Sequence, residues 1–250
     1  MEEKASDLRR DKHRAGSAMS RTLIFGGTFN PVHVGHLRAA IEVVEALGFG
    51  RVEWVPSYAP RHKSDAALLR FDLRVALLRA ALRGHDGFGV NEIERGLPIP
   101  SITFQTLEAM AQSKPAADRY FLLGDREFLR LHTWRFGRVV ASLTQFVIAC
   151  RTEFDLETFA SAVADAWPGS RRVQPPPGAL AAFELLPGRS AIVVPLPRID
   201  VSSSLVRRRW LDGRSLSNLV PDAAIELLEL HREEVEAAWR AAPASASPAS

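Results

Sequence analysis

The chain has 250 residues, 46% of them hydrophobic, and a formal net charge of +3, which allows one sizeable core with no more than a minor lobe. Lys and Arg form no block that would mark a nucleic-acid stripe, so no nucleic-acid partner is expected, although the basic balance suits anionic ligands. No apolar run approaches the ~20 residues of a membrane helix, and Cys150 stands alone, which excludes a disulfide framework and a cysteine metal site; the expectation is a cytoplasmic protein with no membrane partner.

Residues 1–20 are rich in charge, with almost nothing to bury, and read as a disordered tail. The first strand signal is the apolar run from Leu23 to Phe25, followed by Gly26 and Gly27, where the backbone can turn and approach a ligand closely. Asn30–Pro31 is a turn signal. From Gly35 the pattern becomes helical, with Leu37, Ile41, Val44 and Leu47 on one face and an end near Gly48. Backbone amides, a helix N-terminus and the imidazoles of His33 and His36 therefore share one small volume suited to phosphate. The pattern lacks both the G-x-G-x-x-G of a dinucleotide fold and the G-K-[ST] of a P-loop.

Further along, Arg51–Pro56 predicts a strand, making a parallel crossover unit with the first. A loop through Pro60–Arg61–His62–Lys63 leads to a helix with Leu73, Leu77, Leu78 and Leu82 on one side. Phe88–Asn91 reads as a third strand and Ser101–Ser113 as a helix capped by Ser101. Tyr120–Leu123 and Phe146–Ala149 read as fourth and fifth strands. This alternation predicts an α/β fold with a doubly wound parallel sheet, whose ligands sit beyond the carboxyl ends of the strands. The Pro- and Gly-rich stretch Trp167–Pro187 reads as a loop and Ala191–Val194 as a further strand. Ser202–Ser203–Ser204 opens a helix carrying Val206 and Trp210, and Asp222–Trp239 reads as the last helix. Arg207–Arg208–Arg209 taken alone reads as a solvated helix face. Residues 241–250 are Ala, Pro and Ser only and are expected to be disordered, leaving 21–240 as one domain with a small C-terminal helical part.

The stretch from Gly26 to Leu37 matches the pattern Gly-Gly-[Ser/Thr]-Phe-[Asp/Asn]-Pro-x-His-x-Gly-His-Leu. In it the chain resembles the nicotinate-nucleotide adenylyltransferases of the H-x-G-H nucleotidyltransferase superfamily. Ser202–Ser203–Ser204–Leu205–Val206–Arg207 is similar to the family's Ile-Ser-Ser-Thr-x-Ile-Arg segment, and Leu219–Val220–Pro221 matches it downstream. His62–Lys63 resembles its Pro-Pro-His-Lys loop, with Arg61 at the second proline. The resemblance implies a Rossmann-like nucleotidyltransferase fold and the transfer of an adenylyl group from ATP to nicotinate mononucleotide, giving deamido-NAD and pyrophosphate. Nicotinamide mononucleotide or a phosphopantetheine-type acceptor, or nucleotide sensing without turnover, stay open beside it.

Such chemistry needs no general base, because the attacking phosphate is already anionic; positioning and charge neutralisation remain. By resemblance His36 serves the transition-state oxygens and His33 the ATP phosphates. The implied ATP-binding set is Gly26, Gly27, Thr28, Phe29, His33, His36, Lys63, Ser203, Ser204 and Arg207. The implied mononucleotide set is Asn30, Thr103, Gly124, Asp125, Trp134 and Arg151. On this side the chain departs from the family: Ile102 stands for the Tyr of its Ser-Tyr-Thr segment, Gln105 for the Asp of the following Asp-Thr-Leu, and Asp125 lies one position early in its Ile-Gly-x-Asp turn, leaving Arg126 at the usual carboxylate when the turn is anchored on Trp134. No Asp/Glu cluster has metal-ligand spacing, so Mg2+ is expected to arrive with ATP. A homo-oligomer is left open.

Overall fold

A computed structural model describes residues 21–60, 67–114, 118–151 and 154–241. The tail expected over 1–20 lies outside the described residues, as does that over 241–250 apart from Ala241. The strands are β1 (Arg21–Gly27), β2 (Arg51–Pro56), β3 (Phe88–Val90), β4 (Asp118–Gly124) and β5 (Gln145–Arg151), then β6 (Arg171–Val173), β7 (Ala181–Leu186) and β8 (Arg189–Leu196). They form one sheet in the order β3-β2-β1-β4-β5-β8-β7-β6.

Both faces of the sheet are covered, and the side chains show it. Leu23 and Ile24 are neighbours on β1, point to opposite faces and are each 0% exposed. Leu23, Trp54, Leu122, Val147 and Ile192 join one core. Ile24, Val55, Phe121, Phe146 and Val193 join the other. This period of two with both faces apolar is what a parallel interior strand requires. The first core is closed by α1 (Val34–Leu47), α2 (Phe71–Ala81), α7 (Ser203–Leu211), α8 (Asp222–Leu230) and α9 (Arg232–Arg240). The second is closed by α3 (Thr103–Ser113), α4 (Asp125–Arg130), α5 (Gly137–Leu143) and α6 (Leu156–Ala166). The doubly wound expectation therefore holds. Among the described residues no helix is long and apolar enough to cross a membrane.

Three sequence-based expectations need correction. Trp167–Pro187 is not a loop throughout: β6 and β7 pair antiparallel with each other and β7 with β8, so the sheet ends in an antiparallel edge. These strands are short and interrupted by Gly and Pro, and their order comes from pairing to β8 rather than from a local pattern. Gly178, at φ +84, passes so close to α1 that a Cβ would lie 2.2 Å from the Ala46 carbonyl oxygen. Ser101 does not cap α3, which starts at Thr103 after Ile102. Its hydroxyl instead accepts from the Ala59 N–H (3.0 Å) and its own N–H donates to the Ala59 carbonyl, joining the loop after β2 to the chain before α3. Finally, Asp222–Trp239 is two helices, broken at His231. The break lets Trp239 meet Trp210 edge-on at 6.0 Å.

Candidate active site

The strand order reverses between β1 and β4, with β2 and β3 on one side and β5 and β8 on the other. At such a switch point the loops leaving two adjacent strands diverge and leave a crevice beyond their carboxyl ends. The segment Thr28–His33 leaves β1 there, and Gly124–Arg126 leaves β4.

The turn after β1 is built differently from the sequence expectation. Gly26 and Gly27 have ordinary φ; the left-handed residue is Phe29, at φ +47. The glycines are needed because aromatic rings lie against them: a Cβ on Gly26 would sit 3.1 Å from the Phe121 ring, and one on Gly27 2.9 Å from the Phe29 ring. Phe29 is buried and its ring contacts Phe25, Trp54 and, edge-on at 5.1 Å, His36.

His33 is the extended residue that precedes α1, and His36 lies in its first turn. Their rings stack at 3.7 Å between centroids. The His33 backbone N–H donates to Nδ1 of His36 (3.3 Å), so the ring of His36 carries its proton on Nε2, which is a donor. His33 itself is only 6% exposed, and burial pulls its pKa down to about 4. It is a neutral ring at physiological pH, with Nδ1 buried and without a hydrogen-bond partner among the described residues. Gly35 between them is closely enclosed: a Cβ there would lie 2.8 Å from Val201 Cγ1 and 3.1 Å from His33 Nδ1. The Val34 N–H donates to the Leu219 carbonyl (2.9 Å) and the His36 N–H to the His33 carbonyl (3.0 Å). Gly35 N–H has no acceptor among the described residues, which leaves it available to an anion.

The second motif is brought onto the first. Ser202 caps α7 by accepting from the Leu205 N–H. Ser203 Oγ donates to the Pro31 carbonyl (2.9 Å), and Arg207 Nη1 donates to the Asn30 carbonyl (2.8 Å). Arg207 Nη2 reaches Ser204 Oγ at 3.1 Å. The guanidinium is half-buried, and burial lowers its pKa, yet it stays charged. So Arg207 is not part of a solvated face; it turns inward, while Arg208 is exposed. Residues some 170 apart in sequence thus present hydroxyls, a cation and a helix head to one volume.

A third layer lies behind the loop, and the sequence reading passed over most of it. Arg74 on α2 is 0% exposed and donates to the carbonyls of Leu69 (3.0 Å), Thr28 (2.8 Å) and Tyr58 (3.4 Å). Buried Glu94 accepts from the Tyr58 N–H (3.0 Å) and the Thr106 hydroxyl (2.7 Å). The available signal was an Arg amid the apolar stripe of α2. Asn30 is 1% exposed; its amide donates to the Ala67 carbonyl (2.7 Å) and accepts from the Leu69 N–H (3.1 Å). Its side chain ties the loop to the 67–69 segment.

Of the residues expected to take the mononucleotide, Trp134 is half-buried in a tight turn between α4 and α5. A Cβ on Gly137 would lie 1.8 Å from the Leu131 carbonyl oxygen, so that turn closes only over glycine. Phe136, in the same turn, packs on Phe104 at 5.0 Å, which draws Thr103–Phe104 and Trp134–Phe136 together. Gly124 precedes α4, and Asp125 is its first residue. Asp125 lies close enough to Cys150 at the end of β5 to help burial push that thiol up to about 11. Arg151 ends β5, with only its backbone described, and Lys63 lies outside the described residues. Among the described residues no three His, Cys, Asp or Glu side chains converge as a metal site.

The cytidylyltransferase-like family profile matches residues 24–209. A curated "probable nicotinate-nucleotide adenylyltransferase" of Maridesulfovibrio salexigens is 30% identical over 217 residues, covering 87% of this chain and 98% of that relative. One of the same name from Geobacter sulfurreducens is 31% identical over 203 residues, covering 81% and 93%. Among solved structures, a Plasmodium falciparum nicotinic acid mononucleotide adenylyltransferase complexed with NaAD shares the fold at a TM-score of 0.63 and 15% identity, covering 86% of this chain and 97% of that one. A putative nicotinate-nucleotide adenylyltransferase from Vibrio parahaemolyticus superposes at 0.55 with 18% identity, covering 87% and 96%. With two motifs distant in sequence folded onto one crevice, the family profile matched over most of the chain and relatives matched over nearly their whole length, the chain belongs to the cytidylyltransferase-like family, as a nicotinate-nucleotide adenylyltransferase.

Proposed function

We propose that the phosphate of nicotinate mononucleotide attacks the α-phosphorus of ATP in the crevice between β1 and β4. A new P–O bond forms as the bond to the β-phosphate bridging oxygen breaks, and pyrophosphate leaves, giving nicotinate adenine dinucleotide. His36 supports this reading most directly. Its Nδ1 is engaged by the His33 amide, so Nε2–H is the donor for the α-phosphate oxygens as charge builds on them. Gly35 N–H adds a backbone donor to the same oxygens. Neutral His33 backs the His36 ring and keeps positive charge out of the stack. Ser203, Ser204 and Arg207 take the β- and γ-phosphates, with Gly26–Phe29 and Lys63 completing the ATP site. Thr103, Gly124, Asp125, Trp134 and Arg151 take the mononucleotide, the Trp134 indole stacking on the electron-poor pyridinium.

The donors around His36 are imidazole, hydroxyl, amide and guanidinium groups, which suit phosphate oxygens better than a hard divalent cation. Mg2+ would therefore come with ATP, and the chemistry it would supply is neutralisation of the triphosphate charge. Residues 21–240 act as one domain, since a single sheet carries both cores. ATP and a pyridine nucleotide as substrates, with Cys150 free and buried, support a cytoplasmic activity. The test is pyrophosphate release with ATP and, in turn, nicotinate mononucleotide, nicotinamide mononucleotide and phosphopantetheine. The acid nucleotide should give the highest kcat/KM. A preference for another acceptor, or tight ATP binding with no product from any of them, defeats the proposal.

A further inference from the structure

We propose that Arg74 is a positioning residue for adenylyl transfer: from within the core it holds the Thr28–Phe29 peptide in the orientation that serves the triphosphate. The inference rests on the reading of the Thr28–His36 segment as the ATP phosphate site. Burying a guanidinium costs several kcal/mol unless its donors are satisfied, and a Leu or Met would fill the same space without that cost. Arg74 forms no ion pair among the described residues; its acceptors are the backbone carbonyls of Thr28, Tyr58 and Leu69. Burial lowers its pKa to about 10, opposed by Glu94, so it remains charged at neutral pH. The arrangement is a buried cation used to fix backbone.

The Thr28 carbonyl is the acceptor that bears on chemistry. In a trans peptide the C=O and the following N–H point in opposite directions. With the Thr28 oxygen drawn inward to Nη1 at 2.8 Å, the Phe29 N–H faces away from Arg74, and it has no acceptor among the described residues. Phe29 sits at φ +47, a region that a bulky residue keeps only when its surroundings over-determine it. A charge-assisted hydrogen bond from a fixed guanidinium does so. The same peptide sets the Phe29 ring, which leans on His36 at 5.1 Å. Loss of Arg74 releases the peptide to rotate, withdrawing an amide donor and unsettling the imidazole together.

The experiment compares the full-length wild type with Arg74→Lys and Arg74→Met, measuring pyrophosphate release against each substrate, thermal midpoints and the Kd of a non-hydrolysable ATP analogue. In both variants kcat/KM for ATP should fall by about tenfold to a hundredfold, while KM for nicotinate mononucleotide stays within about threefold. The Lys variant should recover thermal stability but not kcat, because an ammonium is a point donor without the guanidinium's fork. Should Arg74→Met fail to fold, that divergence in Arg74→Lys decides alone. Wild-type kinetics in folded variants, or recovery of stability and kcat in step, overturns the inference. A wild type that makes no product refutes the proposed function instead; the positioning role then stands or falls on whether the Kd of the analogue rises about tenfold in Arg74→Lys.

Discussion

Gly35→Ala isolates one contact on which the site depends. The added Cβ would lie 2.8 Å from Val201 Cγ1, closer than such atoms approach, and 3.1 Å from His33 Nδ1. Alanine is the better helix former by about 1 kcal/mol in a helix interior, and less is gained in the first turn. Overpacking a filled site costs about 1–3 kcal/mol. Val201 is a short, stiff side chain and His33 is buried against His36, so the neighbours cannot yield cheaply, and the expected net is a loss of about 1–2 kcal/mol. That corresponds to a fall of several degrees in Tm. The His33–His36 stack must also shift, and a displacement of even ~1 Å near the reacting oxygens can cost a hundredfold in kcat. Thermal melts and steady-state turnover measure the two effects, and Val201→Ala in the same chain separates them. Removing Cγ1 relieves the 2.8 Å contact and should return stability, while the approach to His33 remains and kcat stays low. A Gly35→Ala protein with wild-type Tm and wild-type kcat would refute the packing argument.

Replacing His36 with Ala should lower kcat by about a hundredfold, as for loss of one preorganised donor to a developing charge, with little change in Tm. A folded variant with near-normal turnover removes His36 from the transition state. Arg207→Met takes away the hydrogen bonds to the Asn30 carbonyl and Ser204 Oγ. Charge-assisted bonds of ~1.5–3 kcal/mol predict a KM for ATP raised by about tenfold or more, measured with saturating mononucleotide. His33 makes stability depend on pH. Its folded pKa of about 4 lies below the ordinary 6.5, so the unfolded chain binds more protons between those values. Stability is therefore fully present above pH 6.5 and is lost progressively as pH falls toward 4. At 1.36 kcal/mol per pH unit the loss approaches about 3 kcal/mol. Denaturant titrations at pH 7 and pH 5 should show it, and His33→Phe should flatten that dependence; an unchanged slope places the charge-sensitive group elsewhere.

Much of this molecule is legible without coordinates because its interior strands are parallel and buried on both faces. Leu23–Phe25 and Phe146–Ala149 are apolar runs that announce themselves, and Val52, Trp54 and Val55 do so around a single buried Glu53. His33 and His36 announce themselves as well, since diglycine, turn proline and helix start follow one another locally. The edge strands β6 and β7 do not, because their order is borrowed from β8. Nor does the break at His231, beyond which Trp239 packs on Trp210, a contact between segments distant in sequence.

By itself the sequence determines the strand–turn–helix unit, the alternation that makes a doubly wound sheet, and the residue types that can hold triphosphate, since each is written in contiguous residues. Only the tertiary structure decides that Phe29 rather than a glycine carries the left-handed turn, that Arg207 faces inward, and that Arg74 and Glu94 stand behind the loop. Burial, ring contact and charge pairing are relations between distant segments. No local pattern encodes which side of a helix a lone arginine will find carbonyls on.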